Sequence, residues 1–85
     1  MEAKKLDLVD TIIDMLSEDA NDRLRAEYQQ VMIRRRKLLL FIKENPQISS
    51  EYSEILKKQI NAMNMYAESL RSHAKVTNVE LPFIR

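Results

Sequence analysis

Residues 56–74 read LKKQINAMNMYAESLRSHA. Leu56, Ile60, Met63, Ala67, Leu70 and Ala74 recur there at alternating spacings of four and three. That is the period of one face of an α-helix. A strand, with its period of two, would scatter the same residues over both sides of a sheet. The periodic segment extends from about Ser50 to Lys75. Ser49 or Ser50 can cap its start, and Pro46 disfavours helix at Asn45 just upstream. Tyr52, Gln59, Tyr66 and His73 follow one another at sevenfold spacing and make a second, mixed aromatic and polar edge.

Upstream, residues 19–43 carry a matching seam. Leu24, Tyr28, Val31, Arg35, Leu38 and Ile42 are spaced 4-3-4-3-4, with an arginine in the middle of the stripe. Two seams of equal period joined by the short ENPQISS break predict an antiparallel helical hairpin. Residues 4–16 predict a shorter first helix with two apolar faces, one of Leu6, Val9, Ile13 and Leu16, the other of Leu8, Ile12 and Met15. Such a helix needs two partners, one of which can be another subunit. Ser17 and Asp19 are N-cap candidates for the second helix. The tail VTNVELPFIR has no helical period, and its Val76, Val79, Leu81, Phe83 and Ile84 predict docking onto the chain's own core or a neighbouring one. The fold class expected is therefore all-α: a hairpin plus a shorter N-terminal helix, one domain over residues 1–85, assembled as a homo-oligomer.

Composition narrows the chemistry. The 85 residues include no glycine and no cysteine. Without glycine there is no phosphate-binding Gly-rich loop and no ordinary tight hairpin turn. Without cysteine there is no disulfide or thiolate-metal site, so association is the natural source of extra stability for so small a core. No apolar run is long enough to span a membrane. The N-terminus lacks the continuous apolar core of a signal peptide, so a cytoplasmic protein is expected.

Charge is unevenly placed. Residues 1–22 carry −5, residues 23–43 carry +6 and residues 44–85 balance to 0. The basic block contains IRRRKLLLF, residues 33–41. At about 100° per residue, Arg34, Arg35, Arg36 and Lys37 fan around the helix instead of forming one patch, which argues against a duplex-binding face. The LLLF that follows predicts a helix buried on more than one side. An arginine held against packed surface needs an anion. For Arg34 and Arg35 that anion is either an internal carboxylate (Glu27, Glu68 or the acidic first helix) or the phosphate of a ligand. In the second case Tyr28, Gln30, Gln59 and Tyr66 are the residues expected to complete the pocket, since arginine holds phosphate bidentately and aromatic rings stack on bases. His73 reads as a polar residue near a helix end, and Asp10 with Asp14 as a solvated acidic face. No catalytic group, metal or cofactor is expected.

Two stretches carry a resemblance. MLSEDANDRLRAEYQQVMIRRRKL (residues 15–38) and ILKKQINAMNMYAESLRSHAKVTNVEL (residues 55–81) are similar to a group of small helical phage proteins related to an open reading frame of crAss-like phages. The matching positions are Ser17, Asp19, Arg23, Ala26, Glu27, Tyr28, Gln30, Ile33, Arg34, Lys37 and Leu38. They continue with Leu56, Gln59, Ala62, Met63, Tyr66, Leu70, Glu80 and Leu81. Arg36 departs from the group, which carries an aromatic there. The resemblance implies a non-enzymatic accessory protein made in an infected bacterial cell. By analogy with other very small helical phage proteins, it points to an oligomer that sequesters a nucleotide-type immune signal, either a cyclic ADP-ribose derivative or a cyclic dinucleotide. The alternative is a helical interaction module that inhibits a host protein, with the two-faced first helix or the apolar tail as its contact.

Overall fold

The computed structural model describes residues 7–82, so the expected helix start at Lys4, Leu6 of the first helix, and Phe83 and Ile84 of the tail lie outside the described residues. A 3₁₀ turn, Leu8–Thr11, leads into a single turn of α-helix, Ile12–Met15 (α1). Two long helices follow, Ala20–Glu44 (α2) and Ser50–Val76 (α3), packed as an antiparallel hairpin. No strand occurs among the described residues.

The sequence explains the boundaries. Asp19 caps α2 by accepting from the Asn21 N–H at 2.8 Å, and Ser49 caps α3 by accepting from the Tyr52 N–H at 3.1 Å. Ser17 takes a different role from the cap expected of it. Its hydroxyl donates to Asp22 at 2.8 Å, and its carbonyl accepts from the Arg23 guanidinium at 2.7 Å, which pins the break before α2. At the end of α2 the Asn45 side chain donates to the Phe41 carbonyl at 2.8 Å, just where Pro46 forbids further helix.

The end of α3 shows how a chain without glycine stops a helix. Asn78 adopts the left-handed region, φ 57°. This lets the Val79 N–H reach the Ala74 carbonyl at 2.8 Å and the Asn78 N–H reach the Lys75 carbonyl at 3.4 Å. That pair of bonds is a Schellman motif, with Asn in the place usually held by Gly. The turn sends Val79 back into the core beside Ala74 and seats Leu81 against it. The Arg25 side chain fastens the tail further by donating to the Glu80 carbonyl at 3.2 Å. Val79 and Leu81 of the tail therefore dock on their own chain, whereas Val76 does not: it is the last residue of α3 and is 87% exposed.

The α3 seam is as the period predicts: Leu56, Ile60, Ala67, Leu70 and Ala74 are buried, with Met63 half-buried. On α2 only Leu24 and Tyr28 of the seam are buried; Val31, Arg35, Leu38 and Ile42 are half-buried. A second buried face, Ala26 and Ile33, lies off that seam. The N-terminal segment covers it. Gln30, one turn from each, donates to Thr11, and Lys37, one turn beyond Ile33, pairs with Asp7 at 2.8 Å. The expected two-sided burial of α2 thus falls at Ala26–Ile33 and not at LLLF, where Leu39, Leu40 and Phe41 are exposed. The expected first helix is also shorter. Its Leu8 and Met15 are half-buried, while Ile13 is 84% and Leu16 79% exposed.

Leu24, Tyr28, Ala67, Leu70, Ala74 and the returning Val79 form one buried cluster away from the interhelical loop. Nearer the loop Leu56 and Ile60 are still buried, while Phe41, Tyr52 and Ile55 stand exposed. The candidate site runs from the middle of the hairpin toward that loop.

Candidate functional site

Two open grooves lie along α2 and α3. The first, of about 340 Å³, is walled by Glu27, Gln30 and Arg34 of α2 and by Met63 and Tyr66 of α3, with Met15 at its edge. The second, of about 400 Å³, is walled by Arg34, Lys37 and Phe41 of α2 and by Tyr52, Gln59 and Met63 of α3. Arg34 and Met63 line both.

Helical register builds this arrangement. Glu27, Gln30, Arg34, Lys37 and Phe41 are spaced 3-4-3-4 and form one stripe along α2. Opposite runs the sevenfold strip of α3, with Tyr52, Gln59 and Tyr66 all exposed. Because the helices are antiparallel, Phe41 meets Tyr52 at the loop end, their ring centroids 6.0 Å apart and tilted by 59°. Glu27 and Tyr66 face the first groove at the other end.

The cations Arg34, Arg35 and Lys37 of the fanned basic run have separate surroundings. Arg35 donates to the Asn64 side-chain oxygen at 2.5 Å, so an internal amide and not a carboxylate receives it. Lys37 pairs with Asp7. This hydrogen bond, together with one from the Leu8 N–H, holds the Asp7 carboxyl below its ordinary range, and the charges of Lys37 and Arg36 add to the pull. Arg34 is exposed and makes no hydrogen bond or ion pair among the described residues. Neither Glu27 nor Glu68 pairs with it. Arg34 is therefore a cation in a partly apolar groove with its donors available, which suits a phosphate or carboxylate.

The structure brings together four of the six residues singled out from sequence. Arg34, Gln30 and Tyr66 line the first groove, and Arg34 and Gln59 the second. The Gln30 amide nitrogen is already committed to Thr11, at 2.9 Å. Tyr28 and Arg35 line neither groove. Tyr28 is only 8% exposed and sits in the core, where its hydroxyl accepts from Arg71 at 3.3 Å and its ring lies 5.9 Å from the same guanidinium. Lys37, Phe41 and Tyr52 line the second groove and were not among the six. The 3-4-3-4 spacing through Arg34 was the signal that could have found Lys37 and Phe41, and the sevenfold strip already held Tyr52.

Among the described residues no cluster of three or more His, Asp or Glu side chains could hold a metal. Asp10 instead accepts from the Asp7 N–H at 2.8 Å, closing a capping box on the 3₁₀ turn. His73 is exposed in the last turn of α3. No described helix is long and apolar enough to cross a membrane.

A profile of the Sequestin family matches residues 18–72, well over half of the chain. The chain belongs to the Sequestin family. The Sequestin match spans all of α2, the interhelical loop and most of α3, and so includes every groove-lining residue named here except Met15. The capped N-terminal turn and the returning tail lie outside it. No curated protein and no solved structure matches the chain.

Proposed function

We propose that this Sequestin is a phage-encoded, non-enzymatic anti-defence protein. It acts in the cytoplasm of an infected bacterium as a homo-oligomer. It binds a nucleotide-type immune signal, a cyclic ADP-ribose derivative or a cyclic dinucleotide, and holds it without cleaving it. The observation that carries the reading is Arg34: a cation with its donors uncommitted, set between aromatic and amide side chains in open grooves. Nucleotides offer the complementary groups, a phosphate for the guanidinium and a base for Tyr66 or Tyr52. The family's name speaks of sequestration, and the likeness to small phage proteins supplies the setting. Titration calorimetry with a panel of cyclic nucleotides and ADP-ribose derivatives tests it. Saturable binding of at least one of them, lost in Arg34→Ala, is expected. Absence of binding to all of them at micromolar protein removes the reading.

A second reading rests on a different surface. Val9, Ile13 and Leu16 present an apolar face that the described chain leaves exposed. As a contact for a host protein, that face would make the chain an interaction module that blocks a defence enzyme. A stoichiometric partner recovered from host lysate, together with no thermal shift from any nucleotide, would favour it.

A further inference from the structure

We infer that Asp7 is an internal competitor for the ligand: its carboxylate holds the Lys37 ammonium until a phosphate bound beside Arg34 draws that ammonium away. This rests on the nucleotide reading above and deepens it, adding Lys37 as a binding residue and the N-terminal turn as its regulator. Lys37 follows Ile33 by four residues and Arg34 by three. It therefore stands on the boundary between the α2 face that the N-terminal segment covers and the stripe that lines the grooves. Its long stem can carry the ammonium to either side. In the structure the ammonium meets Asp7 at 2.8 Å, yet the residue still lines the second groove beside Arg34. No carboxylate is among the described lining residues of that groove. The anion that Lys37 meets comes from outside it, at the cap of the 3₁₀ turn.

The pair is built to exchange. Its side chains are 50% and 45% exposed, so water can replace either partner without stranding a buried charge. The Asp7 oxygen that meets Lys37 also accepts from the Leu8 N–H at 2.6 Å, and Asp10 accepts from the Asp7 N–H at 2.8 Å. The turn thus stays capped when Lys37 leaves. Thr11 is fully buried, donates to the Leu8 carbonyl at 2.7 Å and accepts from Gln30 at 2.9 Å, which keeps the segment on α2. The exchange is confined to one ion pair. A phosphate brings charge and several acceptor oxygens into a groove that offers Lys37 none. Because linkage is reciprocal, weakening the Asp7–Lys37 pair must tighten a ligand that uses Lys37.

The test is calorimetry on the full chain at neutral pH and fixed ionic strength. The probes are the nucleotide panel above, cyclic ADP-ribose and 3′,3′-cyclic GMP–AMP among them. They are titrated into wild type, Asp7→Asn, Lys37→Gln and the double variant, with circular dichroism confirming that the helices are intact. Asn keeps the acceptor that caps the turn and removes only the charge. Asp14→Asn is the control: it removes the same charge from the same segment, at a residue that is not paired with Lys37. Asp7→Asn is expected to tighten binding by about threefold, the scale of one half-exposed ion pair. Lys37→Gln should weaken it by about tenfold, the scale of a charge-assisted hydrogen bond. In the Lys37→Gln background the gain from Asp7→Asn should vanish, and Asp14→Asn should give no such gain. If Asp7→Asn leaves affinity unchanged or lowers it, if its gain survives Lys37→Gln, or if Asp14→Asn matches it, the competitor is overturned while sequestration stands. If no nucleotide of the panel binds wild type or Asp7→Asn, both readings fall together.

Discussion

Asn78 shows how much one residue can decide. Its left-handed backbone ends α3 and turns Val79 and Leu81 onto the core. Asn tolerates that conformation better than other non-glycine residues, and a β-branched side chain tolerates it worst. Asn78→Gly should therefore keep or raise the unfolding temperature, whereas Asn78→Val should lose about 1–2 kcal/mol by thermal or denaturant unfolding. Equal stability of the two variants would mean that the returning tail does not depend on this turn. Single residues also mark where the sequence stops being readable. Tyr28 and Tyr66 are the same residue type, each near the basic run or facing it in pattern, yet one is core and the other groove wall. The seam spacing held the difference, because Tyr28 follows Leu24 by one turn and Tyr66 follows Gln59 by two. What spacing could not show was Asn64 as the acceptor for Arg35, since an amide one position off a seam looks like any other exposed residue.

At the scale of elements, the hairpin was legible because α3 repeats its apolar residues without interruption and both breaks carry their own caps. The N-terminal element was legible only in part. Its two apolar faces and its acidity are plain in the sequence, but not where along α2 it lies. That position is set by specific polar contacts, Thr11 with Gln30 and Asp7 with Lys37, which no periodicity encodes. These contacts give the element a pH dependence. The folded-state pKa of Asp7 is depressed, so its contribution is present above the ordinary carboxylate value and is lost as pH falls through the depressed one. Below about pH 4 the N-terminal segment should loosen from α2 before the hairpin unfolds, as amide exchange at Leu8–Met15 would report. Asp7→Asn should show the loosened behaviour already at neutral pH. Protection at these amides, taken relative to the intrinsic exchange rate at each pH, that is unchanged between pH 7 and pH 3 would contradict the coupling. Lys37 also lines the second groove, so this pair joins the N-terminal element to the site.

The whole molecule combines a small core with much exposed apolar surface. Val9, Ile13 and Leu16 on the N-terminal element, Leu39 and Leu40 on α2, and Met65 and Val76 on α3 all remain exposed in one chain. A chain of 10.1 kDa hides too little surface to carry such patches comfortably. Self-association, proposed above, would cover them. Light scattering should then give a mass that is a multiple of 10.1 kDa, and the double substitution Ile13→Asp with Leu16→Asp should lower it toward the single-chain value. A wild-type mass of one chain would refute the oligomer. The same scale holds the central claim, that the protein captures its signal and does not consume it. The direct measurement is to incubate limiting amounts of a cyclic ADP-ribose derivative and, separately, of a cyclic dinucleotide with excess protein, separate free from bound by filtration, then heat-denature the bound fraction and chromatograph what it releases. The account predicts that the free pool of one of them is depleted and that this nucleotide is recovered intact in full, with no depletion by Arg34→Ala. Both free pools left unchanged, or recovery of cleaved products, would contradict it.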